Sequence, residues 1–243
     1  MNIVIDIGNS SSKVGIFSNS GELVFKNTYP ELNVDEVLKL RNDHKAVNYG
    51  IFSTVKEVSQ RFVDAIKFKL DKLIILDENT SLPLINRYQT PETLGKDRIA
   101  AAAGAVFNYP DQDVLIIDTG TALTIDFVNR RKEFIGGIIS PGLEMRFKAL
   151  NYYTSKLPLL QTTDIEGITG KSTEEAITLG VQNGIIFEIE EYIEKYSKHY
   201  DKLITVITGG DAEFLAKRLK NPIFVKLDLV LTGLNQILNY NLR

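Results

Sequence analysis

Short runs of apolar, β-branched residues alternate along the chain with segments in which apolar residues recur at helical spacing. This alternation predicts an α/β protein. In the first half the predicted strands cover residues 1–7, 12–17, 22–27, 46–54 and 72–76, and the predicted helices cover residues 34–41, 57–70 and 92–107. The helix at 57–70 is predicted from Val58, Phe62, Ala65 and Ile66, with Lys69 near the same spacing.

The second half repeats this order after a break at residues 108–111, where Asn-Tyr-Pro-Asp interrupts the helical pattern. Its predicted strands cover residues 114–117, 123–128, 134–139, 203–208 and 223–226, and its predicted helices cover 145–151, 173–200, a segment ending at 220 and a closing segment. We therefore predict two domains of similar α/β design, residues 1–110 and residues 111–243.

An Asp-led glycine turn joins two predicted strands in each half. The first glycine turn is DIGNS at residues 6–10, and the second glycine turn is DTGTA at residues 118–122. Glycine lets the backbone approach an anion, Ser and Thr donate hydrogen bonds, and the Asp can hold a hydrated cation. Such a turn suits a phosphate with its metal ion, and two facing turns would clamp one nucleotide.

Composition excludes several other classes of protein. The 243 residues carry a formal net charge of −3 with dispersed Lys and Arg, so nucleic-acid binding is not expected. Cysteine is absent and the two histidines lie far apart, so thiolate chemistry, Cys-ligated metals and a His-rich metal cluster are not expected either. Without a long apolar run or a basic leader, the expected location is the cytoplasm, with no membrane partner.

Four further motifs are more specific than the glycine turns. They are GKDR at residues 95–98, preceded by Tyr88 and Pro91, GGIISPG at 136–142, GKST at 170–173 and TGGDA at 208–212. Together with the two turns, their order along nearly the whole chain resembles the type III pantothenate kinase family, within the acetate and sugar kinase, Hsp70 and actin superfamily. The sequence departs from the family pattern at Ser10, where Thr is common, and at Ser172, where Asn is frequent.

The resemblance implies two duplicated ribonuclease H-like (actin-like ATPase) domains with mixed sheets and an interdomain cleft. It implies transfer of the γ-phosphoryl group of ATP to the primary hydroxyl of pantothenate, giving 4'-phosphopantothenate in the first step of coenzyme A biosynthesis. Asp6 would hold Mg²⁺ through water. The residues expected to contact ATP are Asp6, Ile7, Gly8, Asn9, Ser10, Ser11, Ser12, Lys13 and Thr121.

For the acceptor, the resemblance implies a site that contains Tyr88, Gly95, Lys96, Asp97, Arg98 and Thr173. Asp97 is expected to orient the hydroxyl and accept its proton late, because an aspartate is too weak a base to remove that proton early. Arg98 could bind the pantothenate carboxylate through two parallel hydrogen bonds.

Ordinary structural roles stay open for several of these residues. Asp97 could simply favour a helix N-terminus, Arg98 could form an ion pair, and Tyr88 could be a half-buried packing residue. Thr173 could cap the helix that follows it. Lys13 could point to solvent, since side chains alternate along a strand.

The resemblance further implies a monovalent cation, K⁺ or NH4⁺, held at Asp118, and a homodimer with substrate sites near its interface. The apolar segments 100–106 and 173–200 are the expected source of the dimer surface. Asp126 receives no assignment. Two other functions stay open: another small-molecule kinase or polyphosphate hydrolase of the superfamily, and a non-catalytic regulatory protein on the same fold.

Overall fold

The computed structural model describes residues 1–68 and 70–243, and within them the chain forms two compact units. Unit 1 comprises Met1–Pro110, Lys132–Ile135 and Asp228–Arg243, and unit 2 comprises Asp111–Arg131 and Gly136–Leu227. The predicted domain division after residue 110 stays a prediction. It did not anticipate that Asp228–Arg243 returns to unit 1.

The secondary structure follows the alternation of the sequence. The strands are β1 (Asn2–Ile7), β2 (Ser12–Phe17), β3 (Leu23–Tyr29), β4 (Tyr49–Thr54), β5 (Lys72–Ile75), β6 (Ile85–Asn86), β7 (Val114–Thr119), β8 (Ala122–Val128), β9 (Glu133–Pro141), β10 (Ile204–Thr208) and β11 (Phe224–Val225). The helices are α1 (Val34–Asp43), α2 (Gln60–Lys67), α3 (Lys96–Asn108), α4 (Leu143–Tyr152), α5 (Thr173–His199), α6 (Ala212–Ala216) and α7 (Leu229–Tyr240), with a 3-10 turn at Pro91–Thr93.

The sheet of unit 1 has the strand order β3-β2-β1-β4-β5. Its central strand, β1, pairs antiparallel with β2 and parallel with β4. This register places Asp6 opposite Lys13 on one side and opposite Ser53 on the other. The end of β1 therefore brings a carboxylate, an ammonium group and a hydroxyl into one row.

The second sheet has the strand order β6-β9-β8-β7-β10-β11, and its five strands from β9 to β11 repeat this arrangement. Its central strand, β7, pairs antiparallel with β8 and parallel with β10, so Asp118 lies opposite Thr124 and Thr208. The order of strands around β7 is the same as the order around β1. This repetition agrees with the predicted duplication of a mixed α/β fold.

Each sheet buries an apolar face against helices. In unit 1, β1 and β2 pack with Val37 of α1 and with Phe62 and Ile66 of α2. In unit 2, β7 and β8 pack against a row of isoleucines along α5, among them Ile185 and Ile189. Helical spacing of apolar residues is what allows one helix face to cover a sheet in this way.

Among the described residues, no helix is both long and apolar enough to cross a membrane.

Close packing of α7 against α3 completes unit 1. A β-carbon added at Gly233 of α7 would overlap the carbonyl oxygen of Ala100, and one added at Gly104 of α3 would overlap the carbonyl oxygen of Leu229. The two backbones can approach this closely because both positions are glycine. α7 also contacts β1, β2 and β4, so the closing helix belongs to the first sheet, whereas the sequence suggested that it completes the second half.

Several predicted boundaries differ from the structure for local reasons. α2 begins at Gln60 because the Ser59 hydroxyl accepts a hydrogen bond from the Phe62 N–H and caps the helix; the predicted position Lys69 lies outside the described residues. α3 begins at Lys96, since Pro91–Thr93 forms a separate 3-10 turn. The strand β6 was not predicted, and α6 ends at Ala216 instead of residue 220.

We expect Gly233→Ala to lower the free energy of unfolding by at least about 2 kcal/mol, because the added methyl group must push α7 away from α3. Gly180→Ala in α5 is the matched control, since no atom lies within 4 Å of its added β-carbon. The control should raise stability by roughly 0.5–1 kcal/mol through helix propensity. Urea unfolding of both variants measures the difference, and equal effects would show that the close packing is not required.

Candidate active site

Asp6 lies at the end of β1 in an environment that disfavours its charge. Burial, followed by the nearby Asp97 carboxylate, raises the pKa of Asp6 to about 6, although Lys13 and the Ser53 hydroxyl partly counteract this. The electrostatic influence of Asp97 on Asp6 shows that the structure brings these two predicted residues near each other within unit 1. A pair of close carboxylates is a natural place for a cation.

The first glycine turn is a tight loop that leaves polar groups exposed at its tip. The Gly8 N–H donates to the Ser11 carbonyl at 3.0 Å, and Asn9 and Ser10 are exposed. Ile7, by contrast, is part of the apolar core, so only its backbone is available to a ligand. Ser12 is also buried.

The GKDR motif forms the beginning of α3. Gly95 is the N-cap, and Asp97 lies in the first turn, where its carboxylate accepts a hydrogen bond from the Arg98 N–H at 2.8 Å. Lys96 lies 3.6 Å from a carboxylate oxygen of Glu78. Asp97 thus lies at a helix N-terminus, where a negative charge is stabilising, as its ordinary structural role requires. The Asp97 carboxylate also raises the pKa of Asp6. The two roles are compatible.

Arg98 and Tyr88 are also brought together in unit 1. Only 5% of Arg98 is exposed, and the carbon of its guanidinium group lies 5.4 Å from the centroid of the Tyr88 ring. This distance is within the range of a cation–π interaction. Phe134 also contacts Tyr88, and the centroids of the two rings lie 6.2 Å apart.

The second glycine turn lies in unit 2 and is supported by two other loops. The Gly142 N–H donates to the Thr121 carbonyl at 3.3 Å, and a β-carbon at Gly142 would overlap the carbonyl oxygen of Gly120. Gly209 has φ +99, and a β-carbon there would lie 2.5 Å from the carbonyl carbon of Thr119. The Thr121 side chain at the tip is exposed. The motifs GGIISPG and TGGDA therefore fix the shape of this turn.

Two further carboxylates lie in unit 2. Burial and the nearby Glu144 carboxylate raise the pKa of Asp211, whose backbone N–H donates to the Thr119 carbonyl at 3.1 Å. Asp126 is 1% exposed, and its backbone lies so close to Gly137 that a β-carbon there would lie 2.7 Å from the Asp126 α-carbon. Asp118 is partly buried at the start of the turn.

Thr173 is the first residue of α5 and is exposed, but it does not cap the helix. The cap is Ser172, whose hydroxyl accepts a hydrogen bond from the Glu175 N–H at 3.2 Å. The interpretation of Thr173 as an N-cap is therefore wrong by one residue. Since Ser172 already satisfies the helix end, the Thr173 side chain is not needed for capping.

No group of three or more acidic or histidine side chains among the described residues is arranged to hold a metal ion. A divalent ion that keeps several waters and shares one or two carboxylates with substrate phosphates does not need such a cage. Asp6 fits this mode of binding, because a cation would offset the burial and, to a smaller degree, the Asp97 charge that raise the Asp6 pKa.

Solved structures that are similar to this chain define its fold class. A Baf family protein from Campylobacter jejuni, described as a transcriptional activator, is similar over 98% of both chains with a TM-score of 0.64 and 25% identity. A protein from Sinorhizobium meliloti described as a 2-dehydro-3-deoxygalactonokinase is similar over 99% of both chains with a TM-score of 0.62 and 14% identity, which indicates a shared fold. The fold is that of the actin-like ATPases and sugar kinases, with duplicated ribonuclease H-like domains, as predicted.

A profile of the type III pantothenate kinase family matches residues 2–195. Proteins named type III pantothenate kinase are similar over the full length: 46% identical in Cytophaga hutchinsonii, covering 99% of this chain and 100% of that one, and 41% identical in Christiangramia forsetii, covering 99% of each. The chain belongs to the type III pantothenate kinase family. The resemblance proposed from its motifs is confirmed, and the comparisons do not favour the other two functions.

Sequence reasoning missed the residues that support the site from outside the motifs. Ser53 could have been found only from the parallel register of β1 and β4. Phe134 and its neighbour Glu133 carry no recognisable motif, and they lie near Tyr88 because β6 pairs with the start of β9. Gly142 and Gly209 belong to recognised motifs, but the sequence did not indicate that both of them contact the second glycine turn.

We expect Asp6→Asn to gain stability relative to the wild type as the pH rises. Native Asp6 has a pKa of about 6 and an unfolded aspartate about 3.9, so the native state binds this proton more tightly. The contribution of Asp6 to the free energy of unfolding therefore falls as the pH rises from about 4 to about 6 and stays low above that. The advantage of Asp6→Asn over the wild type should grow by about 3 kcal/mol over this range, measured by urea unfolding.

Asp113→Asn is the control of opposite sign. Burial alone would raise the pKa of Asp113, but hydrogen bonds and the charge of Arg130 lower it. The Asp113→Asn variant should lose stability relative to the wild type as Asp113 ionises. Parallel pH curves for Asp6→Asn and the wild type would contradict the electrostatic description of Asp6.

Proposed function

We propose that the chain is a pantothenate kinase that uses Asp97 to orient the acceptor hydroxyl and the first glycine turn to hold the phosphates of ATP. Family membership over the full length supports the reaction. The observation that supports the residue assignment is the electrostatic effect of Asp97 on Asp6, because it relates the expected proton acceptor to the expected cation ligand. Phosphoryl transfer depends mainly on such alignment and charge stabilisation.

In the proposed reaction, the primary hydroxyl of pantothenate attacks the γ-phosphorus of ATP. The new P–O bond forms as the bond between the γ-phosphorus and the oxygen bridging to the β-phosphate breaks, and ADP leaves. The hydroxyl proton passes to Asp97 late in the step, when the oxygen has become more acidic. Mg²⁺ bound with ATP would neutralise phosphate charge, and Asp6 would hold it through water.

Backbone N–H groups and hydroxyls of the first glycine turn supply the remaining contacts to the phosphates. Asn9 and Ser10 are exposed at the tip, and Lys13 lies opposite Asp6 in the β-ladder. These positions favour binding to an anion that is brought to the end of β1. Thr121, which the family resemblance predicts to contact ATP, belongs to unit 2, and its side chain is exposed at the tip of the second glycine turn.

In this proposal pantothenate contacts Tyr88 and the segment Gly95–Arg98 of unit 1; Thr173, which the family resemblance adds, belongs to unit 2. Arg98 pairs with the pantothenate carboxylate, and Tyr88 supports the guanidinium group through its ring. Burial of Arg98 strengthens this charge interaction, because water screens it little. Arg98→Lys would not be conservative here, since an ammonium group cannot form two parallel hydrogen bonds.

The chain is also proposed to form a homodimer through unit 2. Residues 100–105 are buried within unit 1 and cannot contribute to a dimer surface. The expectation that segment 100–106 supplies part of that surface is therefore wrong for these residues. The support comes from exposed apolar side chains of unit 2, with Ile139 65% and Phe187 56% exposed. A monomer mass in light scattering at micromolar concentration would exclude this dimer.

Purified protein with ATP, Mg²⁺ and K⁺ should produce ADP when pantothenate is added and none when hexoses replace it. Asp97→Asn should lower kcat at least about 100-fold, because it removes the proton acceptor, while the affinity for ATP stays within about twofold. Glu92→Gln, an exposed carboxylate just before α3, is the matched control and should keep wild-type kcat. Absence of pantothenate-dependent ADP in the wild type would defeat the proposed function.

The monovalent cation is proposed to bind at Asp118, since a single carboxylate with backbone carbonyls suits a large, weakly hydrated ion. We expect activity to be at least about tenfold higher in K⁺ or NH4⁺ than in Na⁺ at constant ionic strength, and Asp118→Asn to abolish this difference. Steady-state ADP production measures both. Equal activity of the wild type in Na⁺ and K⁺ would remove the cation from the proposal.

A further inference from the structure

Tyr88 is held between two side chains that come from different elements. Phe134 at the start of β9 packs against one part of its ring, with the centroids 6.2 Å apart, and the Arg98 guanidinium lies over the ring at 5.4 Å. Phe134 is fully buried, whereas Tyr88 is partly exposed. The position of the Tyr88 ring therefore depends on a residue that does not belong to the acceptor site.

The backbone near Tyr88 is fixed by the pairing of β6 with β9. The Arg87 N–H donates to the Phe134 carbonyl at 2.9 Å, and the Tyr88 N–H donates to the Asn86 side-chain oxygen at 2.9 Å. The Arg87 guanidinium donates twice to one carboxylate oxygen of Glu133, at 3.1 and 2.7 Å. Because the Glu133 side chain is only 9% exposed, this ion pair is less screened than a surface pair.

We propose that Phe134 and the Arg87–Glu133 ion pair are positioning residues that hold Tyr88, and through it Arg98, in the orientation that binds the carboxylate of the acceptor. The inference rests on the proposed function, since it assigns a specificity role within the same acceptor site. It adds that preference for a carboxylate-bearing alcohol is set by a short pairing of two strands as well as by Arg98 itself.

The physical reason is conformational freedom. Arginine has four rotatable side-chain bonds, and the Tyr88 ring is one of the contacts that restrict Arg98, so weakening this contact would raise the entropy lost on binding a carboxylate in one geometry. A leucine at position 134 would leave part of the Tyr88 ring without a packing partner, and the ring could turn away from Arg98. A cation–π interaction of about 1 kcal/mol corresponds to a factor of about five in binding.

The test compares two acceptors that share the reacting hydroxyl. Pantothenate carries a carboxylate, and pantothenyl alcohol carries a neutral hydroxymethyl group in its place. The quantity measured is the kcat/KM for pantothenate divided by the kcat/KM for the alcohol. This ratio does not depend on the concentration of folded enzyme, so a partly unfolded variant does not distort it. KM for ATP is measured in parallel.

Phe134→Leu should lower this ratio about fivefold, and Arg87→Met, which takes a charge partner from the buried Glu133 carboxylate, should lower it about two- to threefold. In both variants the loss should come from KM for pantothenate, with kcat changed less than about twofold and KM for ATP unchanged. Phe62→Leu is the matched control, because Phe62 is also buried in unit 1 and packs against an aromatic ring, with the Phe52 centroid 6.0 Å away. Its ratio should equal that of the wild type.

Two results would overturn the inference. One is an unchanged ratio in both Phe134→Leu and Arg87→Met with an active wild type, and the other is an equal fall in Phe62→Leu. A wild type without pantothenate-dependent ADP production would instead defeat the proposed function. The two failures are therefore distinguishable in one set of assays.

Discussion

The approach of α7 to α3 is the constraint on which unit 1 depends. α3 carries Asp97 in its first turn, and α7 lies against it at a distance that only glycine permits at positions 104 and 233. α7 also binds the strand that carries Asp6, because the Asn2 side chain of β1 donates to the side-chain oxygens of Asn235 and Asn239 at 2.7 and 2.9 Å. One helix thereby packs against both elements that carry the carboxylates of the candidate site, α3 and β1.

The environment of Asp6 has an energetic cost that the rest of unit 1 must offset. Burial is the main cause of the raised pKa of Asp6, and repulsion by the Asp97 carboxylate adds to it. A protein selected for stability alone would replace one of these two carboxylates. The proposed function gives a reason for their presence, since a cation and the phosphates of ATP would convert an unfavourable charge pair into a set of ligands.

Much of the fold follows from local sequence, and the parts that do not are those that depend on long-range packing. The strands on either side of each glycine turn are encoded by β-branched runs, whereas the predicted start of α3, at residue 92, missed the separate 3-10 turn that precedes the helix. β6 has two residues, too few for any periodicity. α7 is buried along most of its length, so its pattern does not indicate which sheet it covers. For the same reason the motifs pointed to Arg98 and Tyr88 but not to Phe134, which reaches them only through strand pairing.

The return of α7 to unit 1 also determines the order in which the chain can fold during translation. Residues 111–227, most of which form unit 2, leave the ribosome before Asp228–Arg243, although unit 1 begins at the N-terminus. The sheet of unit 1 therefore waits, with the surface that α7 will cover still open, until the whole of unit 2 has been synthesised. A fragment that ends near residue 110 would lack α7, the helix that packs against α3 and against three strands of its sheet.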